Sequence, residues 1–277
     1  MKQAFQVELG LIGYAEAWEL QKRLVAARKA DAIEDILLFC EHPHVITLGR
    51  NGKRENLLAS EHVLRQKGVE LHATNRGGDI TYHGPGQLVG YPILNLGAIR
   101  RDVVWYVRTL EEAMIRATAE FGIAAGREPG KTGVWIDSGS FTSHESPACP
   151  ELRGVTSLPR ASRGHSFTPS VGEGPLATSE KIAAIGVHIS RWITSHGFAY
   201  NVSTDLRFFD LIVPCGIADR KATSLEKLLG RTVEMEDVAP RIARHLAELF
   251  GLQLKALPKK ELLRKLEHAE QAVPVSA

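Results

Sequence analysis

A long polar segment from Ser138 to Glu180 interrupts the chain. Its 43 residues are dominated by Ser, Pro, Gly and Thr, and its few apolar residues follow neither a helical nor a strand period. A structureless connection of this length lies far outside the usual range for loops, so we interpret it as a disordered insertion. When it is set aside together with residues 252–277, a polar and basic tail that we expect to fray from Pro258 onward, about 210 of the 277 residues remain. That length predicts a single domain over residues 1–251.

The composition is that of a globular protein that stays inside the cell. Hydrophobic residues make up 44% of the chain, and no run of about 18 uncharged apolar residues is present to span a bilayer. Glu8 interrupts the N-terminus too early for the apolar region of a secretion signal. The net charge of +2 is too small to indicate binding to nucleic acid. We therefore predict a cytoplasmic protein that binds neither nucleic acid nor membranes.

The cysteines indicate neither a disulfide framework nor a metal site. Cys40, Cys149 and Cys215 are an odd number, lie far apart, and form no C-x-x-C or Cys/His ligand pattern. Cys40 lies in an apolar run, where a free thiol is usually a small buried side chain. These features predict a reducing compartment and no bound metal.

Apolar periodicity predicts about four helices and six strands. The predicted helices are one at 14–30, a second that Asp102 caps, a short one opened by a capping box at 223–226, and a last one closed by Gly251. Strands are predicted on either side of His42–His44, of His83–Gly86, and of a turn at either Ser190–Arg191 or Ser195–Gly197. Because no βαβ repetition is visible, we predict one mixed α/β (α+β) domain.

The sequence around Cys215 suits a nucleophile at the mouth of a pocket. Cys215 follows the apolar run Leu211–Val213 and precedes Gly216, so the chain can turn sharply and leave the thiol beside exposed N–H groups. An inert buried thiol is nevertheless the commoner case, because a reactive cysteine needs a positive neighbour or a base that lowers its pKa.

Lys181 is a candidate for that positive neighbour. It opens the apolar strand 182–186, so we expect its ammonium to be half-buried at the edge of a sheet. A Cys/Lys pair in such a place can share one proton near neutral pH. The histidines that could serve instead are His83, His188 and His196.

Glycines alternate with hydrogen-bonding side chains from Arg76 to Gln87. The block reads RGGDITYHGPGQ, in which five of twelve residues are Gly or Pro. Glycines let the main chain approach a ligand closely, and the polar groups could orient a carbonyl or a thioester. The block matches neither a Walker A loop nor a Rossmann fingerprint, and a turn-rich hairpin is the simpler interpretation.

Three segments together resemble the lipoyl(octanoyl) transferase family. They are RGGDITYHGPGQLVGYPILNL, KIAAIGVHISRWITSHGFAYNV and FFDLIVPCGIADRKATSLEKLLG, and the resemblance runs from about Glu34 to Gly251 apart from the insertion. It implies a domain of the biotin/lipoate protein ligase type and an acyltransferase of lipoate biosynthesis, which moves an octanoyl group from acyl carrier protein to a lysine. The implied acceptors are the lipoyl domains of 2-oxoacid dehydrogenases and the glycine cleavage H protein. No cofactor, metal or ATP is implied.

The resemblance also implies roles for individual residues. Cys215 corresponds to the nucleophile that forms the acyl thioester, and Lys181 to the residue that lowers its pKa and moves its proton. The implied acyl-substrate contacts are Arg76, Gly77, Gly78, Asp79, Ile80, Thr81, Tyr82, His83, Ala184, Ile185, Gly186, Gly197, Phe198 and Ala199.

Two features depart from the family pattern. The insertion stands where related sequences have a short connection into the strand of Lys181. Phe198 and Tyr200 are bulkier than the aliphatic residues expected in that motif, and this leaves the acyl chain-length preference open.

Three other functions are compatible with parts of the sequence. An ATP-dependent lipoate-protein ligase on the same fold would need no cysteine nucleophile, and an idle binding module would be expected to lack Cys215 or Lys181. A cysteine hydrolase would cleave a thioester without an acceptor lysine.

The segment Lys255–Lys265 carries five basic residues against one Glu, and we interpret it as a solvated helix end rather than a docking face for an acidic carrier protein.

Overall fold

The structure, a computed structural model, describes residues 2–137, 179–213 and 221–272. Most of the predicted insertion, with Cys149, and the segment that contains Cys215 lie outside these residues. The described strands are β1 (Lys2–Leu11), β2 (Asp35–Glu41), β3 (Val45–Leu48), β4 (Glu70–Ala73), β5 (Ile80–His83), β6 (Gln87–Ile93), β7 (Gly126–Glu128), β8 (Lys131–Asp137), β9 (Ser179–Ser190), β10 (Ile193–Asn201) and β11 (Leu252–Ala256). The described helices are α1 (Tyr14–Lys29), α2 (Glu61–Gln66), α3 (Val103–Ala119), α4 (Leu225–Leu229), α5 (Met235–Phe250) and α6 (Lys259–Ala272).

The strands form one large mixed sheet and one small sheet. The large sheet has the order β11-β1-β2-β6-β10-β9-β8-β7, with β1 parallel to both of its neighbours and antiparallel pairing from β2 onward. The small sheet has the order β4-β3-β5. The predicted mixed α/β fold class is confirmed, although the structure contains more strands than the six predicted.

Two predicted turns join the sheets rather than closing hairpins. The strands on either side of His42–His44 are β2 and β3, and those on either side of His83–Gly86 are β5 and β6. In both cases one strand lies in the large sheet and the other in the small sheet. The chain therefore crosses between the sheets twice, which fixes the small sheet against the large one.

Helices cover both faces of the large sheet. On one face α1 and α6 enclose a core with β1, β2 and β6, and on the other α3 and α5 enclose a core with β8, β9 and β10. A third, smaller core lies beneath β3 and β5. None of the helices in the described ranges is long and apolar enough to cross a membrane.

The helix ends follow the predicted capping residues, with one exception. Asp102 accepts a hydrogen bond from the Trp105 N–H at 2.8 Å, and α5 ends at Gly251 in a left-handed conformation. The predicted capping box at 223–226 is displaced by one residue, because the side chain that caps α4 is Ser224, which accepts from the Lys227 N–H.

The prediction that the tail frays from Pro258 onward is wrong for the residues of α6. β11 pairs in parallel with β1, and the apolar residues Leu262, Leu266 and Ala269 of α6 are buried against α1 and β1. Their spacing of four and three residues is that of one helix face, which the high charge of this segment obscured. These residues belong to the core of the same fold.

We expect Leu266→Ala to lower the free energy of unfolding by about 2–5 kcal/mol, because Leu266 is fully buried and its truncation leaves a cavity. Urea unfolding measures the change. Arg264→Ala, at an exposed position of the same helix, is the control and should change stability by less than about 0.5 kcal/mol. Equal effects of the two substitutions would mean that α6 is not packed on the core.

Candidate active site

A cavity of about 530 Å³ lies where β9 and β10 meet the loop that precedes β5. It is lined by Lys181 and by every predicted acyl contact except Tyr82: Arg76, Gly77, Gly78, Asp79, Ile80, Thr81, His83, Ala184, Ile185, Gly186, Gly197, Phe198 and Ala199. Residues from two separate sequence motifs, the glycine-rich block and the segment that begins at Lys181, therefore meet at one concave surface.

Tyr82 does not line this cavity. Its side chain is fully buried in the core beneath the small sheet, where its hydroxyl lies 2.7 Å from Nδ1 of His44. Its ring stacks on Phe208 at 5.2 Å between centroids. The side chain of Tyr82 therefore lies in the core, apart from the other predicted substrate contacts, and its contact with a substrate stays a prediction.

The loop at Arg76–Asp79 approaches β9 closely enough that main-chain atoms form the cavity wall. The Gly77 N–H donates to the Val187 carbonyl at 2.9 Å. A Cβ atom at Gly186 would lie 2.9 Å from the Gly77 carbonyl oxygen, so only glycine allows this approach.

The buried guanidinium of Arg76 holds the loop from behind. It donates to the Thr47 carbonyl at 2.6 Å and to the Thr47 hydroxyl at 2.9 Å, and thereby joins the loop to β3. Because Arg76 also lines the cavity, its positive charge contributes to the potential felt by anything bound there.

Two buried histidines at the cavity are neutral. Burial, together with the charges of the neighbouring His42 and Arg76, lowers the pKa of His83 to about 3. Nδ1 of His83 lies 2.7 Å from the Gln87 amide oxygen, so the proton resides on Nδ1. Burial, Arg76 and His188 likewise lower the pKa of His196 to about 3.

A chain of hydrogen bonds continues from His83 to the strand of Lys181. The Gln87 amide donates to the Asn201 side-chain oxygen at 2.9 Å, and the Asn201 amide donates to the Thr223 carbonyl at 2.9 Å. The Thr223 N–H in turn donates to the Lys181 carbonyl at 2.9 Å. The backbone of Lys181 is thus fixed by groups that also set the tautomer of His83.

The side chain of Lys181 passes over Gly133 of β8. Its Nζ lies 4.5 Å from the centre of the Trp135 ring, close enough for a cation–π contact. A Cβ atom at Gly133 would lie 3.2 Å from Cε of Lys181 and 2.6 Å from the Ala183 carbonyl oxygen. β9 begins at Ser179, two residues before Lys181, so the lysine lies inside the strand rather than at its start.

Glu111 fixes Gly133 in this position. Its fully buried carboxylate accepts from the Gly133 N–H at 3.0 Å and is paired with Arg108 and Arg127. Two arginines and a backbone N–H balance the buried charge, which would otherwise be costly.

Cys215 lies outside the described residues, but the chain on both sides of residues 214–220 is fixed beside the cavity. The Val213 N–H donates to the Asn56 carbonyl at 2.7 Å. The side-chain amide of Asn56 in turn donates a hydrogen bond to the Asp79 carboxylate, which ties Val213 to the glycine loop. The Lys221 carbonyl accepts from the Lys181 N–H at 2.9 Å. Val213 is therefore tied to the wall that contains Asp79, and Lys221 is bonded to Lys181.

Comparisons with known proteins agree on one family. The model of the family described as "Lipoyl protein ligase A/B catalytic domain" matches residues 13–247. The chain belongs to that family. Proteins named octanoyltransferase from Acidobacterium capsulatum and Solibacter usitatus are 49% and 47% identical to it, over 90% and 89% of this chain and 90% and 93% of theirs. The resemblance inferred from the three motifs is thereby confirmed.

Solved structures share the fold at much lower identity. A bipartite lipoate protein ligase from Thermoplasma acidophilum aligns over 98% of this chain and 93% of its own, with a TM-score of 0.62 and 16% identity. A lipoate-protein ligase A bound with ATP aligns over 98% of this chain and 94% of its own, with a TM-score of 0.58 and 14% identity. The domain is therefore of the lipoate protein ligase type.

The predicted substrate contacts omit several residues that line the cavity. They are Tyr14, Asn51, Val89, Tyr91, Val107, Gly130, Lys131, Thr132, Val187 and His196. Tyr14 lies outside the family motifs, on a helix whose periodicity indicates only a core face, so no local signal distinguishes it. Val89, Tyr91, Val187 and His196 lie inside the family motifs, and that position is the signal that could have found them.

The neutral histidines predict a loss of stability in acid. The unfolded chain binds a proton at each histidine near pH 6.5, whereas folded His83 and His196 stay neutral down to about pH 3. Between these limits the unfolded state binds more protons, so the free energy of unfolding falls as the pH falls, by about 1.4 kcal/mol per pH unit for each histidine. Urea unfolding of the wild type and of His83→Gln between pH 4 and 6 should give a shallower slope for the variant. Equal slopes would mean that folded His83 titrates normally.

Proposed function

We propose that this protein is an octanoyltransferase that modifies lysine side chains during protein lipoylation. The observation that carries this function is identity of 44–49% with three relatives of that name over about 90% of the chain. Such an enzyme needs an acyl donor and a lipoyl domain as acceptor. We place the reaction in the cytoplasm, where a catalytic thiol stays reduced.

The proposed first step is acylation of Cys215 by an octanoyl thioester on acyl carrier protein. The Cys215 thiolate attacks the thioester carbonyl, a new C–S bond forms, and the carrier's sulfur leaves and takes up a proton. Support comes from the position of Lys181, which lines the cavity and whose backbone is bonded to Lys221 at the end of the segment that contains Cys215. A cation there would favour the thiolate.

The second proposed step transfers the octanoyl group to the acceptor. Lys181, left neutral after its proton has passed to the carrier's sulfur, takes a proton from the ammonium of the acceptor lysine, and the free amine then attacks the Cys215 thioester. The amide bond forms as the C–S bond breaks, the second proton of the attacking nitrogen is released to solvent, and the Cys215 thiolate is regenerated. Lipoyl domains of 2-oxoacid dehydrogenases and the glycine cleavage H protein are the proposed acceptors.

The cavity fits an acyl chain of moderate length. Its wall combines main chain at Gly77 and Gly78 with apolar side chains at Val89, Ile185 and Phe198. Neutral His83 and His196 place no charge beside such a chain. Tyr200 faces the core instead, where its hydroxyl lies 2.8 Å from that of Thr118, so of the two bulky residues only Phe198 is proposed to influence chain length.

The substitution Cys215→Ala tests whether the reaction passes through a thioester on Cys215. We expect this variant to form no octanoyl adduct and to transfer no octanoyl group, whereas Cys40→Ala retains both activities. Cys40 is the appropriate control because it is buried in β2, and burial raises the pKa of its thiol. Mass spectrometry after incubation with octanoyl carrier protein, with and without ATP, provides the measurement. Transfer by Cys215→Ala, or transfer that requires ATP, would favour a ligase.

A second prediction concerns the position of Lys181. Gly133→Ala places a methyl group against the Ala183 carbonyl and Cε of Lys181, so the ammonium must move. Displacement of a reacting group by about 1 Å can cost on the order of 100-fold in rate, and we expect a loss of kcat of that order. Gly126→Ala is the control, because no atom lies within 4 Å of its added methyl group. Thermal unfolding of both variants distinguishes lost activity from lost structure, and unchanged kcat in Gly133→Ala would contradict the proposed role of Lys181.

A further inference from the structure

Four basic side chains form a strip on the surface beside the cavity. This basic strip consists of Arg50, His188, Lys29 and Arg191. Nη2 of Arg50 lies 3.3 Å from Nδ1 of His188, and Lys29 donates to the hydroxyl of Ser190 at 2.9 Å, immediately before Arg191. The strip thus crosses from the end of β3 over the end of β9 to the end of α1.

The charges of the strip are not balanced by acids. Within residues 2–137, 179–213 and 221–272, Arg50, Lys29 and Arg191 form no ion pair, whereas the neighbouring Arg28 and Lys2 are paired with Asp35. Lys29 and Arg191 also line an open cleft of about 380 Å³ with those two paired cations and with Asp31, whose carboxylate is paired with Arg28. The strip therefore presents a net positive potential to solvent.

Mutual repulsion within the strip agrees with this geometry. Burial lowers the pKa of His188, and the charges of Arg50 and Lys29 lower it further. Burial and Arg191 lower the pKa of Lys29. Each member is thus close enough to its neighbours to feel their charges, and an anionic partner would relieve the repulsion.

The strip begins at the edge of the cavity and lies far from Lys181. Asn51 and Val187, each adjacent in sequence to a member of the strip, line the cavity, which extends along β9 to Lys181. His188 is seven residues from Lys181 on that strand, a separation of about 23 Å.

We propose that the basic strip is the docking surface for the protein portion of the acyl donor, an acidic carrier protein. This inference rests on the proposed octanoyl transfer. A carrier presents its thioester at the end of a long flexible arm, so its protein surface must bind at a distance from the reacting atoms. The acceptor offers only a lysine side chain and must bind close to Lys181, which excludes the strip as its site.

The other basic segment of the chain is in the wrong place for this role. Lys255–Lys265 lies on β11 and α6, and β11 is separated from β9 by four strands of the large sheet. It carries exposed cations without lying beside the cavity, so it provides a control for the effect of charge alone.

The test compares two double charge reversals in single-turnover acylation of the enzyme at low salt. Arg50→Glu with Arg191→Asp changes the strip, and Asp is chosen because Arg191 has a φ of 50°, which Asp tolerates. Lys260→Glu with Arg264→Glu makes the same change of charge on α6. The donors are octanoyl carrier protein, octanoyl-phosphopantetheine and octanoyl-pantetheine.

We expect the strip variant to need roughly tenfold more octanoyl carrier protein for half-maximal acylation, with the difference shrinking as salt is added. Both small thioesters should acylate it as they do the wild type, and the α6 variant should behave as the wild type with all three donors.

Other outcomes separate the inference from the proposed function. An equal loss with octanoyl-phosphopantetheine would overturn the inference, because the strip would then bind a phosphate rather than a protein surface. No loss, an equal loss in the α6 variant, or a defect confined to transfer onto the lipoyl domain would also overturn it. If the wild type accepts none of the three donors, the proposed function itself fails.

Discussion

The close contact between the glycine loop and β9 is the constraint on which the site depends. One hydrogen bond from Gly77 to Val187 and the absence of a side chain at Gly186 bring a loop of the small sheet against the centre of the large sheet. Arg76 fills the space behind the loop and binds Thr47, so the contact also joins β3 to β9. Without this approach the cavity would have no wall on that side, and the glycine-rich motif would not share a surface with the motif of β9 and β10.

Charge is divided between the interior of the site and its rim. The buried histidines are neutral because desolvation outweighs their hydrogen bonds, and the buried carboxylate of Glu111 is balanced by two arginines. At the exposed edge, Arg50, Lys29 and Arg191 form no ion pair with any residue that the structure describes. Neutral histidines inside and cations at the edge suit the proposed donor, which has an apolar chain and a charged protein surface.

The sequence predicted the elements better than their assembly. α1, α3 and α5 were predictable because each has an apolar face and its own end signals, and the motif residues around the cavity were predictable from the family resemblance. The assignment of β2 and β3, or of β5 and β6, to different sheets depends on pairing with distant strands and has no local signature. Nothing in the sequence indicated that the side chain of Tyr82, which alternates with Thr81 and His83, faces the opposite core. α6 was missed because charged residues surround its three buried side chains.

The pairing of β8 with β9 leaves the length of the chain between them free to vary. Asp137 pairs with Ser179, so the two ends of the intervening residues are held opposite each other in one antiparallel ladder. A turn of two residues could close that same pair. The fold therefore sets no length for what is inserted there, and a protein engineer could replace residues 138–178 by a tight turn, or by a foreign domain whose termini lie close together, without altering any strand pairing of the large sheet.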